Sequence, residues 1–438
     1  MGTSHGVQKT STKEFEVRTV RTVFFRLMPL LMSCYLLAYL DRINIGFAAL
    51  TMNRDLHLDP YHYGLGAGLF FWGYFFFEVP SNLLMNRFGA RRWIARIMVT
   101  WGVLSMGTAF VGGWVGFLTL RFLLGIAEAG LFPGVILYLT FWFPAAYRAR
   151  IIAAFMVAIP ASLAAGSPIS SAILAMDGIA GIRGWQWLFL IEGAPTLLLA
   201  VLVPLVLADR PRDAKWLSED QKQWIEDTLD KERKAVEAEH RMSLWRTFID
   251  RRVLGLCFIY FANLTTNLGL AFFLPQIVKD MGYSVTQSAL VTAIPYVIGT
   301  AGTLAWGYYS DKFNERRISL CIALAVSGVG LAGAAFIGNT LAAVAWMSIA
   351  AVGIYGAKAP FWPLPSLFLT GSAAAGGIAL INSVGNLGGF AGPYIMGWVK
   401  NATGSFRAGL YVLAVFGIAA ALVTLVIVKT TPRQVDGR

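Results

Sequence analysis

"DKFNERR" (311–317) repeats "NRFGARR" (86–92) at an offset of 225 residues. Under that offset Phe88 meets Phe313, Arg91 meets Arg316 and Arg92 meets Arg317, while Pro168 of "AGSP" (165–168) falls on Pro393 of "FAGP" (390–393). Two separated matches at one offset point to an internal duplication. Both copies sit among apolar blocks of about 20 residues, the length that carries a helix across the hydrocarbon core of a bilayer. The blocks lie near 24–50, 62–85, 93–112, 115–142, 148–174 and 185–207, then 253–278, 284–309, 317–337, 341–368, 374–399 and 406–428. The expected fold is an all-α membrane protein of twelve transmembrane helices in two six-helix bundles. A duplication of this kind suits a transporter whose halves rock about a midplane site.

Composition agrees. The 438 residues are 57% hydrophobic and 14% charged, well under the ~25% charge of soluble domains, and mean hydropathy is +0.61. This excludes a soluble enzyme with a single anchor. The net charge of +12 would suggest nucleic acid in a soluble chain; here it follows from basic loops on one side of the membrane. Cys34, Cys257 and Cys321 all fall in apolar blocks and offer neither a disulfide framework nor zinc spacing. The four histidines lie in the tail and loops, so no intramembrane histidine relay is available.

Loops 86–96, 143–150 and 311–317 are arginine-rich, whereas those near 52–61, 113–114, 338–340 and 400–405 carry few basic residues. The alternation places both termini in the cytoplasm; the uncharged loop 370–373 is the weak point. The domain reading is a cytoplasmic tail (1–23), an N-terminal six-helix bundle (24–207), a cytoplasmic linker (208–252), a C-terminal six-helix bundle (253–428) and a short tail (429–438). The linker mixes Asp/Glu with Lys/Arg at helical spacing and reads as a solvated connector. The N-terminus lacks a short apolar segment with a cleavage site and reads as a retained tail.

At this point the motifs carry a likeness. "GxxxDKxxxRR" (Gly307 to Arg317), its degenerate N-half copy and "AxxAGSP" in the fifth span resemble the signatures of the major facilitator superfamily. "FFWGYFFFEVPSNLLMNRFGARRWIARIM" (70–98) and "RFLLGIAEAGLFPGVILYLTFWFP" (121–144) resemble the anion:cation symporter branch, most of all bacterial tartrate-type permeases, with nicotinate, phthalate and sugar-acid permeases as near relatives. The likeness covers essentially the whole membrane domain. It implies a cytoplasmic gate built on Asp311, Arg316 and Arg91, and substrate contacts from Tyr39, Tyr74, Trp362 and Asn382, with Asn386 a weaker candidate. Two departures stand out. Asn86 and Asn82 occupy positions where the superfamily usually has aspartate and glycine. Ile159 stands where sugar-acid permeases use a glutamine, which argues against a long polyhydroxylated substrate.

Read bottom-up, the charges inside the spans are Asp41 and Arg42 (first), Glu78 (second), Arg121 and Glu128 (fourth), Glu192 (sixth) and Lys358 (tenth). Asp41 or Arg42 at the centre of a helix costs roughly 2.5–3.5 kcal/mol on insertion scales, so such residues face the interior and mark ion or substrate pathways. Asp41 and Glu128 lie at similar depth and read as proton-coupling carboxylates, tuned by Arg121 seven residues before Glu128. Arg42 points about 100° from Asp41 and reads as the ligand of a substrate carboxylate, since its fork can make two parallel hydrogen bonds. Lys358 stands in "YGAKAPFWPLPS", where prolines must interrupt the helix and free backbone groups. It reads either as a second anion contact or as a lysine snorkelling to the surface. Glu78 and Glu192 read as braces at helix breaks as readily as proton carriers.

No Walker loop, HExxH, nucleophile elbow or metal-ligand cluster is present, so no cofactor or metal is expected and transport must be secondary. A membrane-embedded enzyme would have to use the same Asp41 and Glu128. A multidrug or cation exporter would want unpaired acids without Arg42 and Lys358. The expected function is import of a small organic anion by proton symport across a bacterial inner membrane. A tartrate-like hydroxydicarboxylate is favoured over an aromatic acid such as nicotinate or a phthalate. The expected partners are that anion, protons and the bilayer, the chain acting as a monomer without nucleic acid.

Overall fold

The computed structural model describes residues 4–238, 248–313, 316–338, 340–365, 369 and 371–427. The first bundle comprises α1 (Ser4–Asp55), α2 (Pro60–Phe88), α3 (Ala90–Gly107), α4 (Trp114–Glu128), α5 (Leu131–Thr140), α6 (Ala145–Met156), α7 (Ala158–Leu174) and α8 (Gly184–Val206). After the linker helix α9 (Glu219–Ala238) come α10 (Arg251–Lys279), α11 (Val285–Phe313), α12 (Arg316–Ile337), α13 (Leu341–Gly356), α14 (Lys358–Phe361), α15 (Gly371–Asn386), α16 (Gly388–Thr403) and α17 (Phe406–Ile427). The described residues contain no strand.

The duplication is visible in the helix limits. α2 and α11 each run 29 residues, and both ends are displaced by the 225 residues that separate the loop motifs. Breaks also recur in kind. The fourth span divides between α4 and α5 and the fifth at Val157, while the tenth divides at Ala357 and the eleventh at Leu387. The fourth-span break falls directly after Glu128. There Gly130 adopts φ +89°, which disfavours any residue with a Cβ, and a Cβ would meet Ser81 Oγ at 2.3 Å.

Ten described helical segments are long and apolar enough to cross a membrane. The second and eleventh expected spans, α2 and α15–α16, are helical without standing among those ten. Both exchange hydropathy for close approach. A Cβ on Gly64 would lie 2.4 Å from the Pro393 carbonyl oxygen, and one on Gly389 would lie 2.5 Å from the Phe71 ring. Small residues that let backbones meet are the usual device of helix packing in lipid.

The halves are joined at the end remote from the linker. There Tyr63 donates to the Phe272 carbonyl (2.8 Å), Asn53 to Gln276 (3.2 Å) and Ser171 to the Thr286 carbonyl (3.2 Å), and Lys279 donates to the Leu50 carbonyl. One apolar core runs through the first half into this end of the second. At the linker end the second half keeps a separate core around Val253, Leu256, Leu320, Leu324, Phe361 and Ile381. The hydrogen bonds that tie the halves are thus concentrated at the end remote from the linker.

The linker is not simply solvated. Trp216 stacks on Trp142 (5.5 Å, 13° between planes), Trp224 meets Phe15 edge-on, and Glu232 accepts from the Ala145 amide (2.8 Å) and from Arg148 (3.3 Å). Its expected pairs are also present, Lys222 with Glu219 and Arg233 with Asp230. The polar residues before Phe24 are helical as well, continuous with the first span from Ser4. Residues 239–247 and the tail from 428 lie outside the described residues. With the linker docked on the first half, reporter fusions at residue 215 and at either terminus are expected to report the same side of the membrane. A fusion at 57 or 180 should report the other, and opposite sides for the two termini would overturn the twelve-span reading.

Candidate functional site

The intramembrane charges converge in the first half as two groups on either side of α1. Adjacent residues on a helix point about 100° apart, and Asp41 and Arg42 do so. Arg42 reaches α4, where its Nη2 donates to Glu128 Oε1 in a salt bridge; the Arg42 side chain is 16% exposed and that of Glu128 2%. Aromatic rings surround the guanidinium, with Phe70 at 5.2 Å, Tyr74 at 5.6 Å, Tyr39 at 5.8 Å and Phe71 at 6.0 Å from its central carbon. Such faces attract a cation when water is excluded. Arg42 Nε and Glu128 Oε2 are buried without partners, so the pair keeps unused donor and acceptor capacity.

Asp41 turns the other way. It accepts from Trp101 Nε1 (2.7 Å), Asn44 Nδ2 (3.2 Å) and Ser105 Oγ. Arg121 makes no ion pair with Glu128, although the two still act on each other electrostatically. Its guanidinium stands over the Phe70 ring at 5.1 Å, buried, with Nε and Nη2 unpaired. Glu128 is held by Arg42, 86 residues away, rather than by the arginine on its own helix. Spacing placed Arg121 and Glu128 on one face of a helix; a shorter reach across the bundle decided the pairing.

Asn382 on α15 donates to Glu78 Oε1 on α2 (3.3 Å), a polar contact between the halves. Lys358 opens α14 after the break at Ala357; it is half-buried, with Nζ 5.0 Å from the Tyr355 ring centre. Among the described residues no acid pairs with it. Trp362 lies edge-on to Tyr260 at 5.0 Å, and Phe361 stacks on the same ring at 5.3 Å. Tyr260 was not singled out from sequence, because an uncharged aromatic in an apolar block gives no signal.

The gate residues are only partly visible. Asp311 lies in the last turn of α11, and its side chain lies outside the described residues. Arg316 begins α12, half-buried. Arg91 is exposed, and its backbone amide donates to Asp209 Oδ1 (2.9 Å). Asp209 also sits against Gly89, where φ is +86° and a Cβ would meet Oδ1 at 2.8 Å. The carboxylate missing at Asn86 is thus replaced near this loop by one from the start of the linker, a substitution that only tertiary structure reveals.

The Major Facilitator Superfamily profile matches residues 31–393 and 256–437. A protein of Agrobacterium vitis named "Putative tartrate transporter" is 48% identical over 421 residues, covering 96% of this chain and 97% of that one. A "Quinolone resistance transporter" of Acinetobacter baumannii is 42% identical, covering 96% and 97%. Among solved structures, an inward-facing, unoccupied bacterial homolog of the human lysosomal transporter Spinster superposes with a TM-score of 0.76 at 19% identity, over 91% of this chain and 96% of that one. The chain belongs to the Major Facilitator Superfamily, and it is a membrane transporter rather than an enzyme.

Proposed function

We propose that the protein imports a small organic anion, a tartrate-like hydroxydicarboxylate, by proton symport across the bacterial inner membrane, with both termini and the 208–252 linker in the cytoplasm. The observation that carries this reading is Arg42. It is a cation within an aromatic cage, still partly open, and held by one carboxylate that a substrate can replace. Its fork suits a carboxylate in two parallel hydrogen bonds. When a substrate carboxylate takes Arg42, Glu128 loses its cation in a site that excludes water, and it takes a proton. When the substrate leaves, Arg42 returns to Glu128 and the proton is released. Tyr39 and Tyr74 wall the first half of the site; Lys358, Trp362 and Asn382 wall the second, and Asp311, Arg316 and Arg91 close the linker end.

A second reading has its own observation. The Tyr260, Phe361 and Trp362 rings offer a platform for a planar acid such as nicotinate or a phthalate. Proteoliposomes test both. Labelled L-tartrate should accumulate when the outside is acidified and stop when an ionophore collapses the proton gradient, and excess nicotinate should not compete. Accumulation of nicotinate alone would favour the second reading, and gradient-independent equilibration of every acid would remove proton symport.

A further inference from the structure

A buried acid remains that the Arg42–Glu128 exchange does not use. Glu192 lies on α8, 6% exposed; its Oε1 accepts from Ser170 (3.1 Å), and its Oε2 is buried without a partner. Asn44, fully buried one turn after Asp41 on α1, lies within hydrogen-bond reach of Glu192 and donates its amide to Asp41. The Asn44 oxygen is likewise buried and unpaired. One turn beyond Glu192, the Thr196 hydroxyl is buried without a partner. Two acceptors of this cluster, Glu192 Oε2 and Asn44 Oδ1, are therefore buried without a partner.

The groups facing Glu192 can be counted from every helix against it. α1 offers Asp41 and Asn44, α7 offers Ser170, and α3 offers Trp101 and Ser105, both already given to Asp41. Arg121 acts electrostatically on Asp41, whereas no described cation acts in this way on Glu192. Among the described residues no lysine, arginine or histidine pairs with Glu192. A carboxylate buried in this way stays only if it is neutralised. A single proton on Glu192 does so.

We propose that Glu192, Asn44 and Asp41 form a second proton-binding site, with the proton carried on Glu192 and the Asn44 amide joining the two acids. The site is built from α1, α7 and α8, whereas the Arg42–Glu128 pair joins α1 to α4. It deepens the symport reading and rests on it for its purpose. A dianion entering with one proton still carries net negative charge against an inside-negative potential, and a second proton makes the load neutral.

The binding step can be tested without any substrate. Infrared difference spectra of the purified protein in lipid, between acid and alkaline buffer, should show protonated-carboxyl carbonyl bands that shift on 13C-carboxyl-glutamate labelling. Glu192→Gln, which matches the protonated acid in shape, should delete one such band; Glu128→Gln should leave that band in place, and Asn44→Leu should shift its frequency. An unchanged set of bands in Glu192→Gln would overturn the proposal, as would a Glu192 band abolished by sodium at constant pH, which would make this a cation site. In proteoliposomes, L-tartrate entry into wild type should be insensitive to membrane potential, and entry into Glu192→Gln should fall severalfold when the inside is negative. If wild type moves no tartrate while the band is present, the substrate reading fails and the proton site stands.

Discussion

Arg42→Ala should abolish uptake altogether, and Arg42→Lys should reduce it by about 10–100-fold, mainly through KM. The lysine keeps the charge and loses the fork. The lost charge-assisted hydrogen bonding is worth about 1.5–3 kcal/mol, which is about one to two decades in affinity. Arg42→Ala carries a second penalty, because Glu128 stays buried without its ion-pair partner. Removing one partner of a buried ion pair typically costs about 3–5 kcal/mol, and this loss should appear as a lower unfolding temperature in detergent. The double variant Arg42→Ala/Glu128→Gln removes both charges, so it should recover most of the stability and none of the uptake. That split separates an anion ligand from a structural brace. Full uptake in Arg42→Ala would refute the anion site, and recovery of uptake in the double variant would make the pair purely architectural.

How far the sequence reached depended on whether a feature was periodic. The duplication was legible because its copies share an offset, and the equal limits of α2 and α11 express the same offset in backbone. Identifying buried charges was also possible from sequence, since seven charged residues in apolar blocks are conspicuous. Their partners were not. The Arg42–Glu128 pair joins α1 to α4, and the acid beside the Arg91 loop arrives from Asp209 in the linker, 118 residues away. Periodicity reports which face of a helix a residue occupies; it does not report which neighbour is within reach. The linker was misjudged for a related reason. Its charges predict solvent on one face, while Trp216 and Trp224, read one at a time, do not announce an aromatic stack against Trp142 and Phe15.

Lys358→Gln should distinguish the two substrate classes. The lysine stands on the half opposite Arg42, at the helix break that begins α14, over the Tyr355 ring and without an acidic partner among the described residues. A half-buried cation left unpaired in a transporter cleft is available to the far end of a bound anion. If that anion is a short dicarboxylate, Arg42 holds one carboxylate and Lys358 the other. Losing a hydrogen bond to a charged group then costs about 1.5–3 kcal/mol, so tartrate uptake should fall by about 10–100-fold. Lys358→Arg should retain part of it, since the charge remains. An aromatic monocarboxylate would instead use Arg42 at one end and the Trp362 and Tyr260 rings at the other, and its uptake should be indifferent to Lys358→Gln but lost in Trp362→Ala. The measurement is initial uptake of labelled tartrate and nicotinate in the same proteoliposomes for all three variants. Unchanged transport of a dicarboxylate in Lys358→Gln would return this lysine to the role of a side chain reaching toward the linker-end surface, and leave Arg42 as the sole fixed cation of the site.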